Sequence, residues 1–172
     1  MGTKYTVKQL AERITPGGTP EEVERTIRQL RHWTNSMALM PASAVHTGQG
    51  RARVYSDSQM YVAAVLVEMG RYGLPIRVVG LVGSTLLYYY MKYPKGKSNP
   101  LHEECHALLH DAIAGPRRVY LRFSLEVGLN PEEEIKEIGM SIFEAEGILA
   151  VPKDSASAFV IDLTELFSRL KV

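Results

Sequence analysis

The run Thr15-Pro16-Gly17-Gly18-Thr19-Pro20 does most to constrain the fold. Two prolines and two glycines in six residues cannot continue a helix, yet the chain on each side reads as one. Upstream, Tyr5 to Ile14 places Val7, Leu10, Ala11 and Ile14 on one face, with Thr6 as the N-cap. Downstream, Thr19 is an N-cap, Pro20 the first helical residue, and Glu21 and Glu22 lie where the helix dipole favours anions. Val23, Ile27, Leu30 and Thr34 form the inner stripe of that helix to about Asn35, with Trp33 at its edge. Two short amphipathic helices joined by a turn are therefore expected at the N-terminal end.

The outward side of the second helix carries Arg25, Arg28, Gln29 and His32. Arginine pairs with guanine edges and glutamine with adenine edges, and either can hold phosphate. A solvated charged face is the ordinary fate of such residues, so the helix alone does not decide the matter. The next segment of the chain adds weight. Val45 to Tyr55 reads as a hairpin turning around Gly48 to Gly50, with Arg51 and Arg53 on it and Tyr55 at its end. Helix, turn, helix and basic hairpin stand in the order of a winged helix-turn-helix, and the hairpin arginines suit backbone phosphates. Lys8 and His46 are weaker candidates for the same role.

Further along, Ser56 caps a helix apolar at Met60, Ala64, Leu66 and Val67 that ends near Gly73, and Pro75 opens another that runs to about Tyr93. Tyr93 to Pro100 is the clearest linker. Beyond it, Leu101 to Ala114 is helical by period, and Val119 to Val127 alternates as a half-buried strand. Asn130-Pro131-Glu132 opens a helix that Gly147 stops. Ile148 to Val151 and Ala158 to Leu163 pair as strands, and Thr164 to Lys171 forms a last helix. The expected fold is mainly α with small β elements. A winged helix-turn-helix domain with its following helix spans 1–93, and a small α+β sensing or dimerisation domain spans 98–172.

The two halves of the chain also differ in charge. Met1 to Gly80 carries a formal charge of +4 and Leu81 to Val172 one of −3. A basic half can meet phosphates, whereas an acidic half suits sensing, dimerisation or protein partners. The single cysteine, Cys105, excludes a disulfide framework and a multi-thiolate zinc site within one chain. The first residues lack the apolar core of a signal peptide, and the uncharged stretch between Arg77 and Lys92 is too short to span a bilayer. A cytoplasmic protein with no membrane contact is expected.

Several segments resemble the MerR family of transcriptional regulators. They are Tyr5-Thr6-Val7-Lys8-Gln9-Leu10-Ala11, Thr26-Ile27-Arg28, Met40-Pro41, Gly50-Arg51-Ala52-Arg53-Val54-Tyr55-Ser56 and Met69-Gly70-Arg71-Tyr72-Gly73-Leu74-Pro75. Gln29-Leu30 stand where that family usually has an aromatic pair, and the loop before the second helix is longer than its tight turn. The resemblance implies a homodimer bound to pseudo-palindromic promoter DNA, distorting the spacer so that RNA polymerase engages both promoter elements. It also implies DNA contacts from Arg53 and Tyr55. An excisionase-like DNA-bending protein is the alternative within the same class. A ligand- or metal-binding protein that has lost DNA contact is the alternative outside it.

The second half offers one metal-like constellation. His102, His106 and His110 recur every four residues on one helix, a spacing at which imidazoles can share an ion. The competing reading, and the preferred one, is that they border the buried face of Leu101, Cys105, Leu108, Leu109 and Ala112. No cofactor is therefore expected. Tyr88, Tyr89, Tyr90 and Tyr93 are read as packing between the halves rather than as a ligand pocket. No phosphate loop, nucleophile elbow or other catalytic signature stands in the sequence, so enzyme activity is not expected.

Overall fold

A computed structural model describes residues 3–42, 53–91, 99–127, 135–144 and 157–170. The fold is mainly helical with two small antiparallel sheets. It divides into two units, Met1–Tyr90 with Arg169–Val172, and Met91–Ser168.

In the first unit, β1 (Lys4–Thr6) leads directly into α1 (Val7–Ile14). Thr6 caps that helix: its hydroxyl accepts from the Gln9 N–H, and the Gln9 side chain accepts from the Thr6 N–H. The same reciprocal arrangement between Thr19 and Glu22 starts α2 (Pro20–Asn35). Each box satisfies two backbone donors that the first turn leaves without helical partners. Gly17, at φ 72°, makes the turn between the helices in a conformation that costs L side chains. Helices α1 and α2 pack together, with Leu10, Ala11 and Ile14 of the first and Ile27, Leu30, Trp33 and Thr34 of the second all buried.

β2 (Val54–Ser56) pairs antiparallel with β1, Tyr55 opposite Tyr5. The hairpin expected from Val45 to Tyr55 lies mostly outside the described residues. Its described flanks are joined by one backbone bond, from the Ala42 N–H to the Val54 carbonyl at 2.9 Å. α3 (Asp57–Arg71) is buried on nearly every side from Met60 to Val67 and forms the centre of the unit. Buried Gln59 ties its start to the preceding segment, accepting from the Ser56 N–H at 2.6 Å and donating to the Met40 carbonyl at 2.7 Å. α4 (Ile76–Tyr90) packs on α3 and lies so close to the chain after α2 that a Cβ at Gly83 would overlap the Ala38 carbonyl oxygen.

The second unit is α5 (Pro100–Ala114), β3 (Val119–Val127), β4 (Ile135–Glu144), β5 (Ser157–Asp162) and α6 (Leu163–Ser168). The sheet order is β4-β3-β5, all antiparallel. Val119, Leu121 and Phe123 of β3 are fully buried, on the side covered by Cys105, Leu108, Leu109 and Ala112 of α5 and Leu163 and Phe167 of α6. Phe123 stacks on Phe159 across the β3–β5 pair at 5.2 Å.

One expectation fails here. The segment expected as a helix from Asn130 to Gly147 is strand from Ile135 to Glu144. Ile135, Ile138 and Ile142 fit a helical period, but Ile138, Met140 and Ile142 equally fit alternation, and Gly139 weakens a helix by about 1 kcal/mol. Pairing with the long β3 satisfies a row of backbone groups and decides between them. The expected strand Ala158 to Leu163 forms as β5 (Ser157–Asp162) and pairs with β3; its expected partner, Ile148–Val151, lies outside the described residues.

No helix among the described residues is long and apolar enough to cross a membrane.

Candidate nucleic-acid interface

The outward side of α2 presents Arg25, Arg28, Arg31 and His32, all exposed. Glu21 and Glu24 are exposed on the same side at the N-terminal end, so the positive charge concentrates in the last three turns. Sequence reasoning missed Arg31, although its spacing from Arg28 and Asn35 places it on this side. Gln29 departs from expectation. It is half-buried, with its Nε2 and the Trp33 ring beside Gly70 of α3. Its carboxamide therefore serves the α2–α3 contact.

Arg53 precedes β2 and donates from Nη2 to Asn35 Oδ1, at the end of α2, at 2.8 Å. Tyr55, two residues on, is the main correction. The resemblance implied a DNA contact, but Tyr55 is fully buried and its hydroxyl lies 2.9 Å from Thr34 Oγ1. Thr34 Oγ1 itself donates to the Leu30 carbonyl at 2.7 Å, so the tyrosine is the donor in the pair. Alternation explains both residues: they project to the same side of the strand, toward α2, where Tyr55 reaches the core and Arg53 the rim.

Between these elements lies an open cleft of about 470 Å³, lined by Thr6, Val7, Arg31, Asn35, Arg53 and Tyr55. It brings together one residue expected from sequence (Arg53), one missed (Arg31) and one reassigned (Tyr55). Lys8 is exposed on α1 and pairs at 3.9 Å with Glu12, an exposed contact of little energetic weight. Arg51 and His46 lie outside the described residues.

In the second unit the histidine rings follow one another along α5. His102 and His106 stack at 6.0 Å, and His106 and His110 meet edge-on at 4.4 Å. His102 is buried and His110 exposed, so the three do not share one environment. Among the described residues, no group of three or more His, Cys, Asp or Glu side chains is arranged to hold a metal ion. In the tyrosine cluster, Tyr90 stacks on Tyr61 of α3 at 6.4 Å, a contact within the first unit, and Tyr93 lies outside the described residues. Burial raises the Tyr90 phenol well above its ordinary value and, together with the Asp57 charge, raises that of Tyr61.

No protein-family model matches this chain, and no curated protein sequence matches it.

Proposed function

We propose that the first unit is a MerR-like winged helix-turn-helix module that binds duplex DNA, and that the protein regulates transcription as a homodimer. The observation that carries this reading is the convergence of Arg25, Arg28, Arg31 and His32 on the exposed side of α2, with Arg53 delivered to the end of that helix by the strand beside it. A helix of this kind can enter a major groove while the flanking strand follows the backbone. The acidic first turn of α2 supports contact through its later turns, where no carboxylate stands on the outward side.

Anisotropy titrations of the full chain against labelled genomic fragments test the proposal. Binding at low salt that falls steeply as salt rises is expected, because each neutralised phosphate releases counterions. Arg53→Ala should weaken binding on all sequences alike, and Arg28→Ala should also change sequence preference. Absence of duplex binding at low ionic strength would overturn the proposal.

A further inference from the structure

The cleft beside Arg53 has a composition that a solvated surface does not require. Among its lining residues the charged groups are two arginines, and none of the six is a carboxylate. Asn35 bonds Arg53 at 2.8 Å, and because a carboxamide is neutral, it directs the guanidinium without cancelling its charge. Most of the five N–H donors of that fork stay available after one bond. Arg31 leaves α2 one turn before Asn35, on the same side of the helix. Two cations lining one cleft repel each other until an anion lies between them, and the oxygens of a phosphate can accept from both forks.

We infer that this cleft seats a single phosphate group held by Arg31 and Arg53, with Asn35 as the positioning residue that aims Arg53. The inference rests on the DNA-binding reading above, in which the group is one backbone phosphate of a duplex. Free phosphate is the other source of the same chemistry.

Two measurements on the full chain test it. The first is duplex affinity over a KCl series for wild type, R31A, R53A, R31A/R53A, N35A and N35A/R53A, each variant checked for folding by urea denaturation. The second follows the arginine Nε–Hε resonances during titration with inorganic phosphate in the absence of DNA. R31A and R53A should each weaken duplex binding about tenfold, as expected for a charged hydrogen bond. Their double variant should lose less than the product, because both grip one group. N35A should weaken binding about fivefold, the worth of a single hydrogen bond, and have no effect once Arg53 is gone. A merely structural Asn35 would lower the urea midpoint and weaken binding equally in both backgrounds.

Independent effects of R31A and R53A, or an N35A effect that persists without Arg53, would overturn the clamp and leave duplex binding standing. Phosphate-induced shifts of both arginine signals without any duplex binding would keep the anion site and remove DNA as its source. Silence in both measurements would overturn the clamp and the DNA-binding reading together.

Discussion

The hydroxyl pair of Thr34 and Tyr55 gives a test whose sign and size come from the structure. Both residues are buried, and the direction of the bond is fixed because Thr34 already donates to the Leu30 carbonyl. Tyr55→Phe removes a donor and leaves Thr34 still bonded to Leu30, so it should cost about 1 kcal/mol. Thr34→Val is close in shape but leaves the Tyr55 hydroxyl buried without its acceptor, so it should cost more, about 2 kcal/mol. In the double variant that orphaned hydroxyl is gone. Tyr55→Phe made on top of Thr34→Val should therefore cost nothing or restore stability, a coupling of about 1 kcal/mol or more. Urea denaturation reports the effect directly, because the only tryptophan, Trp33, is buried in α2 next to Thr34. The midpoint should shift with no change in slope. Additive costs, or a Thr34→Val variant as stable as wild type, would refute the assigned bond. A second readout separates core from interface. Folded Tyr55→Phe should bind duplex as tightly as wild type, because the buried ring still seats the strand; a loss of affinity with the Arg53 Nε–Hε resonance unmoved would return Tyr55 to the interface.

Other perturbations reach different parts of the first unit. Gly83→Ala should destabilise by about 1–3 kcal/mol or more, since its new methyl overlaps the Ala38 backbone and no flexible side chain can yield; an unchanged urea midpoint would contradict that close approach. Met37 follows α2 at φ 62° with its side chain exposed, so Met37→Gly should stabilise by up to about 1 kcal/mol by removing left-handed strain; destabilisation would show that the side chain packs after all. Tyr61 and Tyr90 hold their protons more tightly in the folded chain than at the ordinary value of 10.0. Below that value both states are protonated and stability is flat; above it the unfolded chain loses protons first, so stability should fall as pH rises. Urea midpoints between about pH 8 and pH 11 should show that fall, and Y61F/Y90F should reduce it, leaving the smaller part that Tyr5, also raised, contributes.

How much of this was legible in the sequence depends on where the deciding interactions lie. α2 was readable to its ends because its signals are local: Thr19, Pro20 and Glu22 build its start within four residues, and its apolar stripe repeats at one period. β3 was readable because alternation over nine residues admits few other structures. β4 was not, because its isoleucines satisfy two periods at once and the choice is made by pairing with a strand already in place. The site divides on the same line. Arg25, Arg28 and His32 follow from helical geometry alone, and so would Arg31 have done. Gln29 and Tyr55 could not be assigned, because what draws each inward is a surface from a distant part of the chain: Gly70 for one, Thr34 for the other.

The correction at Tyr55 also changes what α2 contributes. Thr34 and Asn35 are consecutive, and each holds one of the two residues that the strand directs toward the helix. Thr34 meets a hydroxyl in the core, where an unmade bond is costly, so it fixes how deep the strand sits. Asn35 meets a guanidinium at the rim, where the bond adds little stability but restricts direction. The end of α2 thus seats the strand through Tyr55 and aims its charge through Arg53. A residue such as Tyr55 can matter to an interface without touching it, because any change that lifts the strand from Thr34 also moves Arg53 away from Asn35 and Arg31.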